Sequence, residues 1–309
     1  MMPALSDSHL GRALCLPLAL ILALPAGVGA QDPAPAAAVG HPEQEPQPRH
    51  TREEPLWEVG IGGFAAHAPD YPAAEEGRPI GLGIPFGIYR GELFRVGEDS
   101  VASVVPVDEP AYELDVSFDA AFSSDSDNND AREGMPDLDF LLEAGPQLTI
   151  RLLELDFGAS GWGQVKLPLQ ARAVFSTDFT SMEHEGFVLQ PGIAYEHENL
   201  LGSGFNADLE VAPIWASRGL HEFFYEVDPR FARPDRPAFE AEAGYLGTEI
   251  SLAGEYPISS RISLFLGTQI GIYDGAANSD SPLFRRDVTI SGGMGFTWSF
   301  FQSERRVLR

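Results

Sequence analysis

The feature that most constrains this chain is an alternation of apolar and polar residues that returns, segment after segment, between residues 57 and 300. Ile80, Leu82, Ile84, Phe86 and Ile88 alternate with Gly81, Gly83, Pro85 and Gly87. Tyr112, Leu114, Val116, Phe118, Ala120 and Phe122 alternate with Glu113, Asp115, Ser117, Asp119 and Ala121. Val165, Leu167, Leu169, Ala171, Ala173 and Phe175 alternate with Lys166, Gln170 and Arg172, and Phe205, Ala207, Leu209, Val211 and Trp215 with Asn206, Asp208 and Glu210. Period two belongs to strands with one apolar and one polar face. Twelve strands are expected, at about 57–67, 79–90, 91–97, 101–107, 112–123, 137–151, 163–176, 186–198, 204–216, 244–256, 260–273 and 287–300. Most have the roughly nine to eleven residues that a tilted strand needs to cross a bilayer's hydrocarbon.

Composition narrows the choice of all-β fold. The 32 Gly and 25 Pro among 309 residues argue for many short segments joined by turns, not for a helical bundle. Away from the N-terminus no window approaches the roughly 18 consecutive apolar residues of a spanning helix. Such a chain can cross a membrane only as a closed barrel, because lipid satisfies no open backbone groups. The connections agree. With the N-terminus inside, the long loops 68–78, 124–136, 177–185, 217–243 and 274–286 fall outside. The connections Arg90-Gly91, Asp108 to Ala111 and Pro257 to Ser260 are short and fall inside, which is the outer-membrane arrangement. The stretch 152–162 is longer than that rule expects. Trp57, Trp162, Trp215 and Trp298 all sit at expected strand ends, where an interfacial girdle would lie. The expected fold is therefore a single-domain, antiparallel up-and-down transmembrane β-barrel of about twelve strands over residues 57–301, and not a soluble sandwich.

The ends read differently. Arg12 closes a short polar region, Ala13 to Leu24 is apolar, and Val28-Gly29-Ala30 offers the small residues a signal peptidase requires. Residues 1–30 are expected to be a signal peptide cut before Gln31. The one cysteine, Cys15, lies within the apolar stretch and is followed by Leu16-Pro17-Leu18, which does not suit a lipoprotein anchor. The mature chain would have no thiol, hence neither disulfides nor cysteine catalysis. Residues 31–56 (QDPAPAAAVGHPEQEPQPRHTREEPL) have almost nothing to bury and are expected to be a disordered, Pro-rich periplasmic segment. Residues 302–309 (QSERRVLR) form a short basic tail. The net charge of −26, with Lys166 the single lysine, excludes nucleic acid as a partner.

Several residues suggest chemistry. His67 lies near Asp70, His184 between Glu183 and Glu185, His197 between Glu196 and Glu198, and His221 beside Glu222. None accompanies a serine in a G-x-S-x-G context, and Gly202-Ser203-Gly204 reads as a turn. Solvated histidines are the plain expectation. Asp125, Asp127, Asn129 and Asp130 resemble a calcium loop, yet Asp130 and Pro136 stand where an EF-hand places Gly and Glu. No catalytic, cofactor-binding or metal-binding residue is assigned, and no cofactor is expected. The polar rows are more informative. Asp115, Asp119, Asp139, Glu143, Asp208 and Glu210 are expected to face the lumen with Lys166, Gln170 and Arg172. A narrow barrel would pair them as a plug-like network, and a wide one would hydrate them as a cation-preferring pore.

The run GIGGFAAHAPDYPAAEEGRPIGLGIPFGIYRGELFRV, with Pro69-Asp70-Tyr71, Pro85 and Tyr89-Arg90, resembles the opening of the MipA/OmpV family. The acidic loop closing on Gly134-Met135-Pro136-Asp137-Leu138-Asp139 is similar to that family's next marker. GGMGFTWSF, with Gly295, Trp298 and Phe300, resembles both its last strand and the assembly signal of outer-membrane barrels. Ala73-Ala74 and the tail after Phe301 depart from the pattern. The resemblance spans roughly residues 57–301. It implies an outer-membrane barrel, in contact with lipid, lipopolysaccharide and the barrel assembly machinery. It also implies a scaffolding role that brings a murein lytic transglycosylase together with a murein synthase. Other members are described as porin-like or adhesive, so a small-solute or cation-preferring channel is the alternative.

Overall fold

The structure is a computed structural model that describes residues 53–91, 94–96, 102–109, 111–121 and 123–308. The expected signal peptide and residues 31–52 lie outside the described residues. In chain order the strands are β1 (Glu53–Pro55), β2 (Trp57–Pro69), β3 (Gly77–Arg90), β4 (Phe94–Val96), β5 (Ala102–Asp108), β6 (Tyr112–Ala121), β7 (Phe140–Asp156) and β8 (Trp162–Thr177). Then come β9 (Met182–Pro191), β10 (Ile193–Glu198), β11 (Asn206–Ala216), β12 (Gly244–Ser259), β13 (Ile262–Ile272), β14 (Val288–Gln302) and β15 (Arg306–Leu308). One helix, α1 (Arg218–Tyr225), lies between β11 and β12. No helix among the described residues is long and apolar enough to cross a membrane.

From β2 onward each strand pairs antiparallel with the next, except that β9 and β10 do not pair with each other, and β14 pairs back with β2. β9 and β10 are one strand interrupted at Gly192, because both lie between β8 and β11. Counting them together, the thirteen-stranded sheet makes twelve staves, and the order of pairing closes on itself. Closure leaves no open edge, as a backbone in hydrocarbon requires. The long connection expected at 152–162 shrinks, because β7 continues past a bulge at Arg151/Leu153 to Asp156.

Register assigns the faces. On β6 and β7 the rows Tyr112–Ile150, Leu114–Leu148 and Phe118–Ala144 point outward, and Tyr112, Leu114 and Phe118 are exposed. The alternate row pairs Asp115 with Gln147, and Asp115 is buried. On β8, Leu167 and Leu169 continue the outer row while Lys166, Gln170 and Arg172 continue the inner one. The outer surface thus carries exposed Leu189, Ile193, Leu209, Leu252, Leu266, Ile290, Met294 and Phe296, while charged groups are drawn inside. This inverts a soluble protein and is the polarity of a barrel in lipid.

β3 corrects the expected facing. Ile88, Phe86, Ile84 and Leu82 pair with Glu58, Gly60, Gly62 and Phe64 of the inner row, so the apolar row of β3 lines the lumen and its Gly/Pro row faces out. The reason lies at the strand's ends. Arg78 and Arg90 share the parity of that apolar row. Arg90 bonds Glu58 at 2.8 Å and Glu54 at 2.6 Å, and Arg78 reaches Asp70 at 3.1 Å. Turning the row outward would break these ion pairs and place two guanidinium groups toward the lipid interfaces, at about 0–1 kcal/mol each for the lipid exposure alone. Gly60 makes room for the arrangement, since a Cβ there would collide with the Trp298 carbonyl and meet the Phe86 ring at 2.9 Å. Trp162 also departs from the expected girdle, lying in the inner register row with Asp156 and Glu198. Trp57, Trp215 and Trp298 are exposed on the outer face.

The two ends differ from their sequence reading as well. Glu53–Pro55, placed in the Pro-rich segment, pairs with Arg306–Leu308 of the basic tail, with Glu54 opposite Val307 and Pro55 opposite Arg306. The Leu56 amide also donates to the Arg305 carbonyl at 2.9 Å. These backbone bonds tie the two ends of the described chain together beneath the barrel wall.

Candidate functional site

The interior has two parts, one at each end. At the terminal end and midway up, charges are paired. Arg172 Nε meets Glu143 at 2.7 Å, its Nη2 donates to Gln190 Oε1 at 2.6 Å, and its Nη1 donates to Gln170. Lys166 donates to Glu196 at 2.6 Å and Arg151 meets Glu113 at 2.9 Å. Glu58 accepts from Ser299 at 2.6 Å and from Gln302 at 2.8 Å. Asp208, Glu210, Glu249 and Glu255 occupy inner rows of β11 and β12, so acids outnumber bases on this wall. Asp119 falls opposite Glu143 by register. Asp139 departs from expectation. It precedes β7 at the rim, where partial burial and then Asp178, Asp137 and Glu183 raise its pKa.

At the long-loop end the inner rows turn apolar. Leu141 of β7, Val174 of β8, Val188 of β9, Ile214 of β11 and Leu246 of β12 are all buried. They form one core with Tyr71, Leu138, Leu220, Phe224, Tyr225 and Leu283 from the loops. Since the strand residues come from inner rows, the loops have folded into the mouth of the barrel. α1 buries Leu220, His221, Phe224 and Tyr225, a stripe at i, i+1, i+4 and i+5 that turns one helical face inward. Polar contacts close the seams. Tyr225 donates to the Pro72 carbonyl at 3.0 Å, Tyr71 to the Leu283 carbonyl at 2.8 Å, and Ser281 to the Tyr225 carbonyl at 2.7 Å. Burial raises the pKa of both phenols, so both remain hydrogen-bond donors. Arg132 is buried, lies 5.7 Å from the Tyr71 ring centre and donates to the Phe224 carbonyl at 3.2 Å. Its burial lowers its pKa to about 10, which still leaves it charged at neutral pH.

The acidic loop 125–130 belongs to this assembly. Asp125 accepts from the amide of Asp127 and the side chain of Asn128, both at 2.9 Å. Buried Asn129 donates to Asp70 at 2.9 Å, and the Asp130 amide donates to Glu76 at 2.7 Å. These bonds fasten one loop to another. Among the described residues no three His, Cys, Asp or Glu side chains are grouped to hold a metal.

The four histidines are scattered. His67 is exposed on the outer row of β2. His184 faces out between Phe175 and Phe187, at 5.3 and 4.9 Å. His197 and His221 correct the expectation of solvated rings. His197 is buried under Phe157, with Nδ1 2.7 Å from the Tyr195 hydroxyl and Nε2 3.0 Å from the Ser160 carbonyl. It latches the turn 157–161 to the wall. His221 is wholly buried in the plug. Among the described residues no hydrogen bond joins any of the four to a carboxylate or a serine hydroxyl. The plug residues were missed by alternation, which loops lack, although the spacing Leu220, Phe224, Tyr225 inside a long loop was a readable sign of a packed helix.

A closed sheet with an apolar outer face, aromatic rims and a charged interior defines the class: an outer-membrane β-barrel. The pattern of one family, described as MltA-interacting protein MipA, matches residues 61–300. The chain belongs to that family, and its place is the outer membrane. No curated protein matches the sequence. Among solved structures the chain is similar to a bacterial polysaccharide outer membrane secretin, at 9% identity and a TM-score of 0.37, covering 80% of this chain and 99% of that one. It is also similar to an outer membrane channel from Pseudomonas putida F1, at 10% identity and a TM-score of 0.35, covering 83% and 100%. Pseudomonas aeruginosa OpdQ matches at 8% identity with a TM-score of 0.21, covering 83% and 98%.

Proposed function

We propose that the protein is a non-enzymatic outer-membrane barrel that serves as a scaffold for murein-processing enzymes. A lytic transglycosylase and a murein synthase would be held at its terminal end, on the periplasmic side. One observation carries the reading: the long-loop mouth is filled by a packed apolar core, so the barrel is built as an anchored wall and not as an open hole. The family description supplies the class of partner. The surfaces left for a periplasmic enzyme are the short turns, the β1–β15 sheet and residues 31–52, the last outside the described residues. Folded barrel immobilised in detergent should retain murein enzymes from an envelope extract. Deleting residues 32–52 spares β1 and should weaken that capture. If the intact barrel retains no murein enzyme, the scaffold reading falls.

A cation-preferring channel is the second reading, favoured by the acid-rich inner rows of β11 and β12. Steady conductance of the folded barrel at neutral pH would select it over the scaffold.

A further inference from the structure

Among the described residues His221 is the one histidine within the core of the plug, and its setting asks for more than packing. The ring is 0% exposed. Its Nε2 lies 3.2 Å from the Gly244 carbonyl, which fixes the proton on Nε2 and makes Nδ1 the bare acceptor nitrogen. Nδ1 is buried and has no hydrogen-bond partner. A buried acceptor without a partner is costly, and a proton placed on it would create a buried cation, which is costlier.

The ionisable groups on the elements around it offer that cation no partner. On β9, Glu185 accepts from Ser176. On α1, Glu222 is held by Arg218 at 2.6 Å and Tyr225 presents its ring at 5.9 Å, while Glu226 caps the helix end with its Oε2 buried and without a hydrogen-bond partner. Before β12, the Glu242 backbone is fastened to Asn278, and within β12 Tyr245 bonds Thr248. From the loop before β7, Arg132 brings a like charge to the Phe224 carbonyl, and from the loop after β13 Ser281 donates to the Tyr225 carbonyl.

We propose that the plug is an acid-opened gate: protonation of His221 at Nδ1 expels α1 from the barrel mouth and admits small cations to the acid-rich lumen. In the closed state burial lowers the ring's pKa below its ordinary 6.5, and the Gly244 carbonyl offsets this only in part. In the open state the ring is hydrated and titrates at its ordinary value. The open state then binds more protons below pH 6.5, so closure is stable above that value and weakens as pH falls through it. Between pH 7.5 and 5.5 the open population rises by up to about tenfold for one such group. The proposal does not depend on murein partners.

The test is single-barrel conductance in a planar bilayer with potassium chloride at pH 7.5 and 5.5. The unsubstituted barrel is compared with His221→Phe, which keeps the volume and removes the titration. The expected result is a rise in open time, of up to about tenfold, for the unsubstituted barrel and a smaller one for the variant, with potassium preferred over chloride. An equal rise in both would transfer the gate to other groups, of which the crowded Asp139 is the first, and would overturn the assignment. No rise in the unsubstituted barrel, or a preference for chloride, would overturn it too. Should His221→Phe fail to fold, a thiol placed by Val174→Cys, with His221 intact, must label faster at pH 5.5 than at 7.5, by up to about tenfold, after correction for thiol ionisation. Equal corrected rates would end the proposal.

Discussion

The two halves of the interior are lined by the same inner rows of the same strands, yet they are stabilised in opposite ways. Along β8 the inner row runs from Lys166 through Gln170 and Arg172 to Val174. Below, Arg172 needs Glu143, Gln170 and Gln190 around it. One step above, Val174 has 0% exposure and touches the plug core. The lower half keeps its charges in complementary pairs across neighbouring strands. The upper half excludes water with apolar bulk supplied by loops. A barrel wall alone has no core of its own, because its apolar face looks to lipid. The loops therefore supply one at the mouth.

Substitutions should separate the halves in size of effect. The largest loss is expected inside the plug. Phe224→Ala removes an aromatic ring from a packed core and should cost about 3–5 kcal/mol of plug stability. Denaturant titration followed by tryptophan fluorescence, with heat-modifiable gel mobility reporting the barrel, would check this. A barrel that stays folded while the loops become protease-sensitive is the expected outcome. Next comes the wall between lumen and lipid. Leu167→Arg on the outer row should impair assembly by about 2–4 kcal/mol near midplane, whereas Leu82→Arg on the inner row should be tolerated. Equal sensitivity would mean that β3 does not face as described. In the lower lumen, Arg172→Met leaves Glu143 without its cation at 2.7 Å and should cost about 1–3 kcal/mol, which Glu143→Gln in the same chain should partly restore. The smallest effect belongs to the plug's outer surface. Arg218→Ala breaks an exposed i,i+4 pair with Glu222 and should change stability by about 0.3–0.5 kcal/mol, within the error of most melts.

The contrast also explains what the sequence could show. Twelve staves were expected at about their observed places, and the long ones were legible as runs of alternation, which is what a wall between lipid and water imposes. Which way a run faces was legible only where charge marked one row, as Lys166 and Arg172 do on β8. On β3 the alternate row is Gly and Pro, which carry no polarity. The deciding residues were Arg78 and Arg90 at its ends, of the same parity as Ile80 and Ile88. The plug was hidden for another reason. Tyr71, Leu138, Tyr225 and Leu283 come from four separate loops, and only the closed barrel brings them together. His221 looked solvated beside Glu222 because neighbours in sequence say nothing of a core built from distant segments.

The most direct test of the central claim, that the long-loop mouth is sealed while the lumen below is open to water, is thiol labelling at two inner-row positions. Cys15 would be replaced, and Val174→Cys or Leu82→Cys introduced singly. Both side chains sit on inner rows, but Val174 is 0% exposed and Leu82 is 40% exposed. With a small polar thiol reagent on the folded barrel at neutral pH, Leu82→Cys should label readily and Val174→Cys only after denaturation. Ready labelling of Val174→Cys in the folded barrel would contradict the sealed mouth.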